Sequence, residues 1–503
     1  MINRLLQLAA TQPLSPFIFH EESAWTFAEA ADLAQRGASW LAKLGVQPGD
    51  KVVVAVSNRP LFLFYWFSAL ARGATAIPVS HELFGDALHY IVTQSEASVV
   101  LTEGAELKRI RLDLASLPLR VEGHESEQAF AQQMSALPQA APAVLGNDFL
   151  AAILYTSGTT GQPKGTLIPN RSYLATGKKI TEAIGITSRD RILTFLPLHH
   201  ANPQMYAVLS ALTVGCSVIL VPRFSASGFL EQAARYQATG FTYVGTVLNI
   251  LAKTIVQPAA TSLRWCVGGG APTDIWTALH ARLSLDIFEL YGMTETGGMV
   301  TMNTATHTRV GSVGVARDDF EVAILGPEDQ LLPPENSGEI AVRPKVPFVM
   351  TTGYFRKPQE TLDAMRNLWF HTGDLGHMDK DGFLYFERRK KELIRRGGEM
   401  ISPVEIELAA LKHAGIVDCA AVGVSDPMLD EEIKLVIVMR GKLDADEVVS
   451  FLRTVLEKHK IPRYIEFADH IPKTATQKVQ RFKLTSNSDL TIDTKAAKSI
   501  CAP

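Results

Sequence analysis

The chain has 503 residues, which at roughly 150 residues per domain gives a prior of about three domains and room for a large core. Apolar residues make up 47% and charged residues 20%, which excludes long disorder and fits a compact soluble enzyme. The net charge of −3, from 49 basic and 52 acidic residues, argues against a general binder of nucleic acid or membrane surfaces, which carries a basic excess.

Elements follow in chain order. The stretch 5–10 is apolar but short, and Gln7 interrupts it, so no export signal is expected. Periodicity predicts a helix over 26–44, with Thr26 and Glu29 as a capping box and Gly45 as the stop. The Val-rich run 51–57 has strand length; 59–72 reads as helix, 75–80 as strand, 84–95 as helix and 98–103 as strand. The longest apolar run, 60–71, is well short of the roughly 20 residues that span a bilayer. No membrane span is expected, and a cytoplasmic location is. The cysteines, Cys216, Cys266, Cys419 and Cys501, form no CxxC pair, which argues against a disulfide framework or cysteine zinc site and for a reducing compartment.

Residues 137–146 are rich in Ala and Pro and read as a surface connection. Strands then resume at 149–155, 191–197, 217–221, 241–245, 264–268 and 287–291, mostly with helices between them. Apolar strands alternating with helices predict parallel sheets covered on both faces, with ligand loops at the carboxyl ends of the strands. After about residue 311 shorter strands with Gly and Pro turns (321–325, 338–343) predict a β-rich subdomain. From about 391 a compact α+β unit is expected. Its helices start at Ser402-Pro403 and run over 446–459, and its strands cover 417–424 and 433–439.

Five motifs carry chemistry. Thr156-Ser157-Gly158-Thr159-Thr160-Gly161-Gln162-Pro163-Lys164-Gly165 follows a predicted strand. Its glycines permit close approach, and its hydroxyls and Lys supply donors for nucleotide phosphates. Next come Trp265-Cys266-Val267-Gly268-Gly269-Gly270-Ala271-Pro272 and Tyr291-Gly292-Met293-Thr294-Glu295-Thr296, each at a strand end. Trp369-Phe370-His371-Thr372-Gly373-Asp374-Leu375 and Pro472-Lys473-Thr474-Ala475-Thr476-Gln477-Lys478 complete the set. No HExxH, GxSxG or strand-borne GxGxxG occurs. A zinc pair at His199 and His200 is disfavoured, because adjacent side chains point apart and no third ligand lies near.

In this order, over about 25–483, the motifs resemble those of the adenylate-forming superfamily of acyl-CoA synthetases, adenylation domains and luciferase-like enzymes. The resemblance implies an α/β fold. A large N-terminal domain, 1–388, would hold parallel-rich sheets, packed helices and the β-rich subdomain at about 311–388. A hinge at 389–391 and a small mobile C-terminal α+β domain, 392–503, would follow. It also implies ATP, Mg²⁺ and coenzyme A as cofactors. ATP would be held by Thr156, Ser157, Gly158, Thr159, Thr160, Lys164, Gly269, Gly270, Ala271, Pro272, Tyr291, Gly292, Thr294, Asp374 and Arg389. Tyr291 would stack on adenine, Asp374 would bind both ribose hydroxyls, Thr294 would contact phosphate and Glu295 would bind Mg²⁺. Lys478 would bridge the acid and the α-phosphate, with Thr294, Glu295 and His200 also in the catalytic set. The acyl pocket would be lined by His200, Val244, Gly245, Val267, Gly268, Met293 and Met299, mostly small or apolar, which favours a neutral hydrophobic or aromatic acid over a dicarboxylate. Gly397 and Gly398 would line the coenzyme A tunnel, and Lys391 would be the pivot.

Two positions depart from the family pattern: Arg388 stands where Asp or Gly is usual, and Gln477 where Gly precedes the catalytic Lys. The region 199–251 looks most like bacterial ligases of the crotonobetaine/carnitine and aryl-acid group. The expected function is ATP-dependent acyl-CoA ligation, with a small-molecule carboxylic acid as substrate. Loading of a carrier protein, or a non-catalytic nucleotide-binding homologue, are the alternatives, and a homodimer is an open assembly.

Overall fold

The computed structural model describes residues 1–156, 162–257, 259–389, 393–472, 479 and 481–494. The chain divides into two compact units, the larger built from Met1–Leu83, Ala87–Thr156 and Lys164–Lys390, the smaller from Phe84–Asp86, Ser157–Pro163 and Lys391–Pro503.

Three sheets organise the larger unit. One runs in the order Arg120–His124, Val99–Glu103, Lys51–Ala55, Thr75–Val79, Leu150–Thr156, Lys164–Pro169. Its first five strands are parallel, and the inner strands Val99–Glu103, Lys51–Ala55 and Thr75–Val79 are buried almost throughout, as cover on both faces requires. The largest sheet has Pro16–His20, Ser217–Leu220, Arg191–Thr194, Gly240–Val244, Trp265–Gly269 and Asp286–Met293 side by side and parallel. Antiparallel edges close it at Ser23–Thr26, Gly298–Met302 and Val315–Ala316. The third sheet is antiparallel: Phe320–Leu325, Gly338–Pro344, Phe370–Met378 and Leu384–Arg389.

Helix Phe27–Lys43 starts where the sequence indicates. The Thr26 hydroxyl accepts the Glu29 N–H at 3.2 Å and a Glu29 carboxylate oxygen accepts the Thr26 N–H at 2.8 Å, both halves of the capping box. Helix Pro60–Arg72 is buried on every side from Pro60 to Ala71, so its apolar run is a core helix. Among the described residues no helix is long and apolar enough to cross a membrane.

Two elements differ from expectation. Lys164 does not sit in a loop: it opens a strand, Lys164–Pro169, that pairs antiparallel with Leu150–Thr156 and places Lys164 opposite Thr156. The helix expected over 446–459 ends at Leu452. There the Thr454 hydroxyl bonds back to the Phe451 carbonyl at 2.7 Å, and the Val455 N–H turns to the Leu452 carbonyl three residues back, which tightens and ends the helix.

In the smaller unit Ile416–Asp426 and Asp430–Met439 form a long antiparallel pair, flanked by Tyr464–Phe467, Thr491–Asp493 and the hairpin Ile394–Arg396 and Glu399–Ile401. Helix Pro403–Ala410 carries Pro at its first position, but Ser402 makes no side-chain cap bond.

Candidate active site

The parallel strands end on one edge, where Val244 pairs with Gly269 and Gly268 with Glu289. Their carboxyl-end loops carry the motif residues, the usual place for a ligand in such sheets.

Thr156 and Lys164 form the two rims of the hairpin whose loop is the Thr/Ser/Gly motif. The Thr156 hydroxyl donates to Glu295 Oε1 at 3.3 Å, joining motifs 139 residues apart. Tyr354 donates its phenol to the same oxygen at 3.1 Å. Its segment lies against the hairpin through Phe355 N–H to the Gly165 carbonyl at 2.7 Å, and against the Glu295 turn through Thr351 N–H to the Glu295 carbonyl at 2.9 Å. Burial and the Glu295 charge hold the Tyr354 phenol well above its ordinary range, so it stays a donor. Lys164 Nζ lies 5.1 Å from the centre of the Tyr354 ring, a cation–π contact. Carboxylate, hydroxyls and cation thus gather at the ends of the two paired strands that flank residues 157–163. Tyr354 escaped sequence reasoning because it lies in no motif.

The turn bearing Thr294 and Glu295 is tied by Thr296, whose hydroxyl accepts the Met293 N–H at 2.9 Å and donates to the Gly298 carbonyl at 2.7 Å. Gly292 is needed for packing: a Cβ there would stand 1.9 Å from the Gly298 carbonyl oxygen across the hairpin. Tyr291 donates to Asp374 Oδ2 at 2.8 Å and stacks on Phe386 at 6.1 Å between ring centres. Asp374 is 3% exposed, and its N–H donates to the Thr372 hydroxyl at 3.1 Å.

The glycine turn after Trp265–Gly269 has a partner that no motif announced. Glu289, 4% exposed, accepts the N–H groups of Gly270 and Ala271 and the phenol of Tyr243. Burial, against the pull of these three donors, pushes its carboxyl up to about 7. The sequence did hold a signal: an acid inside the apolar run Ile287-Phe288-Glu289-Leu290.

The acyl-pocket candidates separate. Val244 and Gly245 meet the glycine turn, and a Cβ on Gly245 would stand 2.1 Å from the Gly270 carbonyl oxygen. Val267 and Met299 are packed into the main core cluster, and Met293 packs against the core beneath the antiparallel sheet. His200 and His199 lie ring to ring at 4.2 Å, just before an irregular π-type turn, Pro203–Val208, a feature often found at functional sites. In the smaller unit Gly397 and Gly398, at φ of 60° and 87°, form the two-residue turn between Arg396 and Glu399, a conformation that glycines adopt freely. The candidates Ser157, Gly158, Thr159, Thr160, Lys391 and Lys478, with Gln477, lie outside the described residues, and for Arg389 the structure describes only the backbone, paired with Asp374.

A model of the AMP-binding enzyme family matches residues 6–355, and one of the AMP-binding enzyme C-terminal domain matches residues 405–478. The chain belongs to the AMP-binding enzyme family. This AMP-binding enzyme is 32% identical to a sulfoacetate–CoA ligase of Cupriavidus necator, over 95% of this chain and 96% of the relative. It is 31% identical to a feruloyl-CoA synthase of an Amycolatopsis species, over 94% and 95%. A double mutant of o-succinylbenzoate CoA synthetase from Bacillus subtilis, bound to a product analogue, superposes with a TM-score of 0.88 at 26% identity, covering 98% of this chain and 99% of the other.

Proposed function

We propose that this AMP-binding enzyme is an ATP-dependent acyl-CoA ligase. A carboxylate attacks the α-phosphorus of ATP, giving acyl-AMP and pyrophosphate. The coenzyme A thiol then attacks the acyl carbonyl, and AMP leaves. The observation that carries the reading is Thr156 on Glu295, with Lys164 on the opposite rim of the same hairpin. It puts a cation, hydroxyl donors and one buried carboxylate around a loop suited to phosphates.

Each residue then has a task. Lys164 and the loop hydroxyls hold the outer phosphates. Asp374, steadied by Tyr291, accepts from the ribose hydroxyls. Lys478 faces the charge that develops between acid and α-phosphate, and the chemistry proceeds by positioning and charge stabilisation without a protein nucleophile. Mg²⁺ fits the donor set, since it commonly takes one or two carboxylates and completes its shell with nucleotide phosphates and water. Glu295 supplies such a carboxylate, and no group of three or more His, Cys, Asp or Glu able to hold a metal occurs among the described residues. When bound, the ion would neutralise phosphate charge as pyrophosphate departs. The boundary lies at 389–391, with Lys391 as pivot and Gly397-Gly398 serving the thiol step, and the reaction draws on the cytoplasmic pools of ATP and coenzyme A.

The acid is taken to be neutral hydrophobic or aromatic rather than a dicarboxylate, from the apolar character of pocket candidates such as Val244 and Met293. The test is pyrophosphate release with coenzyme A over a panel that includes sulfoacetate, ferulate, oxalate, crotonobetaine and o-succinylbenzoate. Coenzyme A-dependent thioester from at least one acid is expected. Pyrophosphate release that needs a carrier protein instead would overturn the acceptor, and gel filtration of the active protein tells monomer from homodimer.

A further inference from the structure

Glu289 is a carboxylate in the core that meets no cation among the described residues. Its partners among the described residues are two peptide N–H groups and one phenol. Burying such a group costs free energy unless every lone pair finds a donor, and apolar side chains would pack the same strand more cheaply. What it joins accounts for its presence. Tyr243 comes from strand Gly240–Val244, Gly270 and Ala271 from the end of Trp265–Gly269, and Glu289 itself from Asp286–Met293. The Tyr243 carbonyl also accepts Asn202 Nδ2 at 3.1 Å, and Asn202 follows His199 and His200. One buried side chain therefore ties three neighbouring strand ends and reaches the loop of a fourth.

Two successive N–H groups turned onto one carboxylate form a nest, a backbone concavity that otherwise binds an external anion. Here the nest is filled from within, which fixes the peptide planes on both sides of Gly270, whose φ of +93° no other residue adopts easily. Gly245 and Gly268 let the backbones close around it: a Cβ on Gly268 would stand 2.0 Å from the Tyr243 carbonyl oxygen.

We propose that Glu289 is a positioning residue of the nucleotide site, which through Tyr243 and the N–H groups of Gly270 and Ala271 sets the shape of the glycine turn on which the AMP moiety rests. It rests on the proposed function only in placing AMP at that turn.

The test is AMP binding to the full chain by calorimetry, which needs no knowledge of the acid. Glu289→Leu removes the acceptors and is expected to weaken AMP at least about 10-fold. Glu289→Gln keeps an acceptor for the nest and a partner for Tyr243, and is expected to stay within about 3-fold of wild type. A folded Leu variant that binds AMP like wild type overturns the proposal, and so does a Gln variant as weak as Leu. Should the Leu variant not fold, Tyr243→Phe decides: weakening of about 3-fold or more supports the proposal, and unchanged binding overturns it. Failure of the ligase reading would look different, as a wild type that binds AMP and never forms a thioester.

Discussion

Glu289→Gln should change how stability depends on pH. The ordinary carboxyl value of 4.5 rises to about 7 in the folded chain because burial disfavours the charge. Between those values the native state binds more protons at this site than the unfolded state, so stability falls as pH rises. The neutral form's advantage is complete below about 4.5 and gone above about 7. Tyr243 and Cys266 beside it add no slope below pH 8, since burial holds both well above their ordinary values. The amide cannot ionise. From pH 5 to pH 8 the stability difference should therefore move in favour of the variant by roughly 2–3 kcal/mol. Urea midpoints of both proteins across that range, followed by tryptophan fluorescence, read it out. A constant difference, or a wild type that gains on the variant with pH, would refute burial as the cause.

Lys478→Ala should lower acid-dependent pyrophosphate release by about 10²–10³, the size of one preorganised donor, while thioester formation from supplied acyl-AMP persists; equal loss of both steps would remove the assignment. Lys391→Pro fixes φ near about −65°, so one half-reaction should survive within a few-fold while overall thioester synthesis collapses, with an unchanged melting curve. Arg396→Ala removes the guanidinium that donates at 3.1 Å to Glu432, a carboxylate 0% exposed that keeps the Ile433 N–H, and should destabilise the smaller unit by about 3 kcal/mol in denaturant titrations.

The fold was largely legible because apolar runs and breakers repeat along the chain, and parallel strands buried on both faces leave that imprint. Lys164 was misplaced because a motif rich in Gly and Thr looks like loop to its last residue, whereas pairing with Leu150–Thr156 draws its end into a strand. Residues singled out in separate motifs do come together, Thr156 with Glu295 and Tyr291 with Asp374. The site was opaque where contact is made across space: Tyr354 lies 59 residues from Glu295, and Tyr243 lies 46 from Glu289. At Gly268 and Gly292 adjoining backbone excludes a side chain, a packing demand that the motifs do not reveal.

Helix Pro60–Arg72 has a consequence for synthesis on the ribosome. Its apolar surface is complete once residue 72 has emerged, yet strand Pro16–His20, beside which the large sheet must form, pairs with Ser217–Leu220. Ile18 meets Val218, 200 residues later, so at the usual 5–20 residues per second that pairing lags by about 10–40 s. Part of the helix waits too: Trp66 meets the Tyr173 ring at 5.5 Å, so that face of it lacks its cover for about 5–20 s, far longer than a helix takes to form. Output in a heterologous host should depend on chaperone supply and on translation speed through codons 73–220 more than on the equilibrium stability of the finished enzyme.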